Sequence, residues 1–117
     1  KFVYSNLFSD VKGKFDLIIF NPPYLPRDKD DIKDKALIGG KHGYEILKKF
    51  LDNAGKHLEK NGRILVVFSS LTGKDKVDEA IKANGFKSKL LERSHVFFED
   101  IYMCFFWGIF ISYYRLI

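Results

Sequence analysis

The amino-acid sequence predicts an α/β fold in which parallel strands are joined through crossover helices and a final strand runs antiparallel. Three observations predict it. Two predominantly apolar runs, Phe15–Phe20 and residues 63–69, have the hydrophobicity of strands covered on both faces. Between and after them the apolar period lengthens to three and four residues, the spacing of amphipathic helices. The last two strand-like segments are separated only by residues 93–100, too few for a helical crossover.

Taken in order, Phe-Asp-Leu-Ile-Ile-Phe (residues 15–20) reads as a short buried strand. From Tyr44 the pattern turns helical: Leu47, Phe50, Leu51, Ala54 and Leu58 share one face, while Lys48, Lys49, Asp52 and Lys56 take the others. Asn61 and Gly62 are the expected helix stop, with glycine as the C-terminal cap. Arg-Ile-Leu-Val-Val-Phe-Ser (residues 63–69) is the second strand. A second helix is expected over residues 74–84, turning Val77, Ala80 and Ile81 inward and stopped by Gly85. Strands over residues 86–92 and 101–110 complete the series, paired antiparallel. Helix-linked strands should be parallel with right-handed crossovers. Residues 27–35 alternate acids and bases around one Ile and read as a solvated loop. The segment from 101 to 117 is dense in aromatic residues with a single charge, Arg115. It is short for a membrane span and interrupted by Tyr113, Tyr114 and Arg115.

At 117 residues the chain is at most one domain. Apolar content of 46% with 30% charged residues is that of a soluble globular protein. The net charge of +5 is carried mostly by lysines scattered along the chain, the pattern of a solvated surface rather than a nucleic-acid stripe. Cys104 is the only cysteine, so neither a disulfide framework nor a cysteine zinc site is expected. His42, His57 and His95 lack metal-ligand spacing, and no metal site is assigned. Lys1 leads directly into mixed sequence with no signal-peptide pattern, so a cytoplasmic address is expected.

The most informative segment follows the first strand directly: Asn21, Pro22, Pro23 and Tyr24. Prolines have a fixed φ and no N–H, so this corner offers the Asn21 amide and the proline carbonyls as acceptors without competing donors. Such a corner suits a planar NH2 group. Asn-Pro pairs also start ordinary turns, but the whole tetrapeptide at a strand end is far more specific.

With this motif the sequence resembles the class I S-adenosylmethionine-dependent methyltransferases, most closely the HemK-related enzymes of archaea and eukaryotes. These methylate a glutamine side-chain amide in class I peptide chain release factors. The likeness rests on Ser5-Asn6-Leu7-Phe8, residues 13–24, Gly39-Gly40-Lys41-His42-Gly43, Glu45 with Phe50, and Asn61-Gly62-Arg63, and spans roughly residues 5–102. It implies a Rossmann-like class I methyltransferase fold of which residues 1–117 supply the later half. Phe15–Phe20 is then the fourth strand, with the motif at its carboxyl end, where ligands bind in such sheets. The glycine-rich cofactor loop and the ribose-binding acidic residue of that family belong before residue 1. Residues 103–117 form an aromatic tail unlike the family's short ending.

The resemblance implies roles for individual residues. Asn21, Pro22 and Tyr24 are the catalytic set, with Pro23 completing the substrate-binding corner. Asn6, Leu7 and Asn21 contact S-adenosyl-L-methionine; Asn6 stands where many relatives carry Asp beside the adenine. A carboxamide nitrogen is a poor nucleophile, so two fixed acceptors would orient it and favour the charge developing on it. No general base is required before transfer, because the methylated nitrogen sheds its proton afterwards. Expected partners are a class I release factor and, as in eukaryotic relatives, a small zinc-binding activator subunit. An unpaired sheet edge would also favour self-association. Two other readings stay open: an adenine-N6 methyltransferase acting on DNA or RNA, since adenine presents the same NH2 geometry, and a non-catalytic remnant or subunit of a split methyltransferase.

Overall fold

The computed structural model describes residues 1–22, 43–97 and 99–108. The solvated loop expected over residues 27–35 and the tail beyond Gly108 lie outside them. The elements are β1 (Phe15–Phe20), α1 (Glu45–Ala54), β2 (Leu58–Ser69), α2 (Lys74–Ala83), β3 (Phe86–Val96) and β4 (Glu99–Gly108). One-turn 3-10 helices, Gly55–His57 and Ser70–Thr72, lead into β2 and out of it. The four strands form one sheet in the order β1-β2-β4-β3. β1 and β2 are parallel, as expected for strands joined through a helix, and β4 runs antiparallel to both β2 and β3.

The core lies between one sheet face and the two helices. α1 buries Leu47, Phe50, Leu51 and Ala54, and α2 buries Val77, Ala80 and Ile81, as their spacing predicts. Against them stand Ile64, Val66 and Phe68 of β2 with Tyr102, Cys104 and Phe106 of β4. Each large side chain taken fully out of water contributes roughly 1.5–3 kcal/mol, so this layer is the main stabilising feature. The opposite face carries Leu17, Ile19, Leu65, Val67, Met103 and Phe105, and no described helix covers it. Ile19 remains 66% exposed and Leu17 51%.

Two boundaries differ from the sequence-based expectation. α1 stops at Ala54, and Asn61 and Gly62 lie inside β2 rather than capping a helix. Leu58 is buried and falls four residues after Ala54, so it matches the helical period although it opens a strand. Phe15 pairs with Leu58 but Leu17 with Arg63, so the register slips through an irregularity that leaves Glu59, Lys60 and Asn61 exposed. Gly62 serves that irregularity: a Cβ there would lie 2.7 Å from Leu58 Cδ1 and 2.9 Å from the Glu59 carbonyl oxygen. The second difference is the last hairpin. β3 runs to Val96, which pairs with Glu99, so the connection is two residues rather than eight. α2 ends as expected, with Gly85 at φ 69° beyond the Asn84 cap.

No described helix is long and apolar enough to cross a membrane.

Candidate active site

Strand direction sets the site. β1, β2 and β3 point the same way, so Asn21, Ser69 and Val96 all reach the carboxyl edge of the sheet. Asn21 is exposed immediately after β1, while Pro22 is buried behind it. The Asn21 carboxamide makes no hydrogen bond to another described residue. Pro23 and Tyr24 lie outside the described residues.

The turn carrying Asn6 and Leu7 is built by local hydrogen bonds. Ser5 Oγ donates to the Leu7 carbonyl at 2.8 Å and accepts from the Asp10 amide at 2.9 Å. The Ser9 amide donates to the Asn6 carbonyl and the Val11 amide to the Phe8 carbonyl, both at 3.1 Å. Leu7 is held at φ 53°, a conformation that costs a non-glycine residue about 1 kcal/mol or more. The side chain of Asn6, like that of Asn21, is exposed and engages no other described residue.

Phe50 brings the two pieces together. Phe8 stacks on Phe50 with centroids 5.2 Å apart, and Phe20, the last residue of β1, stacks on the same ring at 4.0 Å. Phe8 also lies nearly parallel to His57 at 4.6 Å. His57 Nδ1 is 3.0 Å from the Gly13 carbonyl oxygen; a carbonyl only accepts, so Nδ1 carries the proton. One α1 residue thereby anchors both the Asn6-Leu7 turn and the strand end that presents Asn21. Sequence reading placed Phe50 in the core without assigning this bracing role. Its signal was faint, since phenylalanines at 8, 20 and 50 share no period.

A second cluster occupies the same edge on the β2 and β4 side. Ser69 Oγ donates to the Glu99 carboxylate and accepts from the Leu71 amide at 3.0 Å. The Asp100 amide donates to Ser70 Oγ at 3.0 Å. Asp100 also binds His95 Nδ1 at 2.8 Å and Arg93 at 2.6 Å. Those hydrogen bonds, His95 first and then Arg93, hold the Asp100 carboxyl below its ordinary range. Thr72 Oγ1 is buried close by with no partner among the described residues. Sequence reading considered His95 only for metal-ligand spacing and gave none of these residues a role, because only the long hairpin brings 93, 95 and 100 together.

A family model for the methyltransferase small domain matches residues 1–87. This chain belongs to that methyltransferase family. It is 42% identical over 104 residues to a Methanocaldococcus jannaschii protein named as a protein N5-glutamine methyltransferase, covering 86% of this chain and 53% of that one. It is 41% identical over 88 residues to the release factor glutamine methyltransferase of Borreliella burgdorferi, covering 68% of this chain and 31% of that one. The chain thus spans about half the length, or less, of these curated relatives. Among solved structures, the E. cuniculi Mtq2–Trm112 complex, described as responsible for methylation of the eRF1 translation termination factor, superposes with a TM-score of 0.74. That match has 21% identity and covers 91% of this chain and 60% of the other. It shows that this methyltransferase domain has the Rossmann-like class I fold, of which the described strands are a part. The HemK-related resemblance of the sequence agrees with all three.

Proposed function

We propose that the protein containing this chain transfers a methyl group from S-adenosyl-L-methionine to the side-chain amide of a glutamine in a class I peptide chain release factor. The observation that carries the reading is the exposed Asn21, without a hydrogen-bond partner among the described residues and followed by buried Pro22 at the end of β1, in a chain 42% identical to a relative named for protein glutamine methylation.

The donor set fits this chemistry. Asn21 Oδ1 accepts one hydrogen of the substrate amide and the Pro22 carbonyl accepts the other, which turns the nitrogen lone pair outward and favours the positive charge it acquires. Pro23 and Tyr24 are assigned to the same substrate-binding corner on the sequence motif alone. The bound cofactor supplies a methyl group on a sulfonium sulfur. Asn6 offers an acceptor to the adenine amino end and Leu7 an apolar contact to the ring, while Asn21 borders the cofactor at its methyl end. The amide nitrogen that accepts this methyl, the sulfur keeping the bonding pair, would then shed one proton to water.

The same reading includes a small zinc-binding activator subunit, a partner for which the two-protein Mtq2–Trm112 complex is support, self-association through the β1 edge, and a cytoplasmic address, where release factors act. The test is radiolabelled methyl transfer by the complete protein to a release factor and, in parallel, to adenine-containing DNA. Label on the release factor glutamine is expected. Label on DNA alone would replace this reading with the adenine one, and label on neither would favour a non-catalytic role.

A further inference from the structure

We propose that Val96 and Phe97, at the overhanging end of β3, are a docking element for the protein substrate, seating the surface that flanks the target side chain; this rests on the protein-substrate reading above. Three features of the tip point there.

The first is position. Ile101 of β4 pairs with Ser69, the last residue of β2, yet the hairpin continues through His95–Asp100 and Val96–Glu99. It therefore overhangs the carboxyl edge by two residue pairs, about 7 Å at ordinary strand rise. β3 lies three strand positions from β1, roughly 14 Å at ordinary strand spacing. A macromolecule presenting one side chain to Asn21 meets this tip; a small substrate does not.

The second is composition. Phe97 at the tip is 88% exposed, next to partly exposed Val96, and it sits at φ 51°. A bulky aromatic residue is a poor occupant of the left-handed region, where hairpin turns favour Asn or Gly. Keeping it there in water serves neither turn geometry nor burial, so its ring is available to a partner. The base of the overhang is fixed by the Ser69–Glu99 and Asp100–Ser70 hydrogen bonds, so the ring is presented from a braced support.

The third is charge. Arg93 and His95 both bind Asp100, and Lys74, at the start of α2 on the same edge, pairs with Asp78 at 2.9 Å. Nucleic-acid binding depends on cations aimed at phosphates. Here the Arg93 and Lys74 cations are each engaged by an aspartate, and Phe97 presents an exposed aromatic ring of the kind that anchors protein interfaces.

The decisive variant is Phe97→Gly in the complete protein, because it removes the ring and relieves the backbone together. The thermal midpoint should hold or rise. The KM for the intact release factor should increase roughly 10- to 30-fold, in line with loss of an aromatic interface anchor, while kcat and the KM for a short glutamine-bearing peptide stay unchanged. Phe97→Tyr should retain the wild-type KM. An unchanged KM for the intact factor, or an equal rise for the peptide, would overturn the docking role while leaving the glutamine reading standing. Wild-type methylation of DNA but not of the release factor would overturn that reading, and the docking proposal with it.

Discussion

Asn21 and Gly62 show how one residue can act through chemistry or through space. The Asn21 carboxamide is exposed and free of described partners, so its removal should leave the fold intact. Fixed acceptors at a reacting centre typically account for 10²–10³ in rate. Asn21→Ala in the complete protein is therefore expected to lower kcat about 10²- to 10³-fold with the unfolding midpoint unchanged. A variant of full activity would remove the proposed role of the corner. Gly62 is the opposite case, since it touches no proposed chemistry. An added methyl would press on Leu58 Cδ1 at 2.7 Å and on the Glu59 carbonyl at 2.9 Å. Leu58 is in the core and the carbonyl belongs to the backbone, so neither yields cheaply. Gly62→Ala should destabilise by about 1–3 kcal/mol, read as a lower denaturation midpoint with methyl transfer per folded molecule preserved.

At the scale of elements, a polar link joins the two helices. Asp52 of α1 accepts from the Asn84 side chain at the end of α2 at 2.8 Å and from Lys48 at 2.7 Å. These bonds, that from Asn84 first, hold its carboxyl below the ordinary range. A carboxyl lowered in the folded state stabilises above its unfolded value, near pH 4, and that contribution is lost as pH falls through the lower folded value. Asp52 is partly exposed, so the effect should be under about 1 kcal/mol. Asp52→Asn should lie below wild type in unfolding midpoint at pH 7, and the gap should narrow as pH falls below about 4. A gap constant with pH would show that packing of the side chain, not its charge, is responsible.

The same elements show what their sequences disclosed. α2 and the amphipathic face of α1 were legible because burial imposes a period on their residues, and β1 because its residues are mostly apolar, although the coverage of both its faces expected from that run is not met among the described residues, where none of β1 is buried. The start of β2 was not, because Leu58 prolongs the helical period of α1 by chance of spacing and Gly62 resembles a cap. The outer part of the hairpin was hidden for a different reason. All of β3 after Phe86 is exposed, so pairing to β4, rather than a hydrophobic pattern, defines the strand. The Asn21-Pro22 corner was legible as a local tetrapeptide, whereas the Phe8–Phe50–Phe20 stack depends on contacts between residues far apart in the chain.

The whole molecule is asymmetric. One sheet face is packed under α1 and α2, while the other presents Leu17, Ile19, Leu65, Val67, Met103 and Phe105 without a described helix above it. β1 forms an edge strand, paired with β2 alone among the described residues. An apolar edge strand is a template for another chain, and a contiguous apolar face of this kind marks an interaction surface. Together they account for the protein's expected behaviour as residues 1–117 alone: association beyond the 13.6 kDa monomer at micromolar concentration by light scattering. Leu17 and Ile19 lie on the open face of the edge strand, so Leu17→Lys with Ile19→Lys places charge on the contact without touching the α1–α2 core. That double variant should scatter as a monomer with unchanged secondary structure by circular dichroism. If the unaltered chain were itself a monodisperse monomer, neither the open face nor the β1 edge would drive association, and an activator subunit could not be argued from this surface.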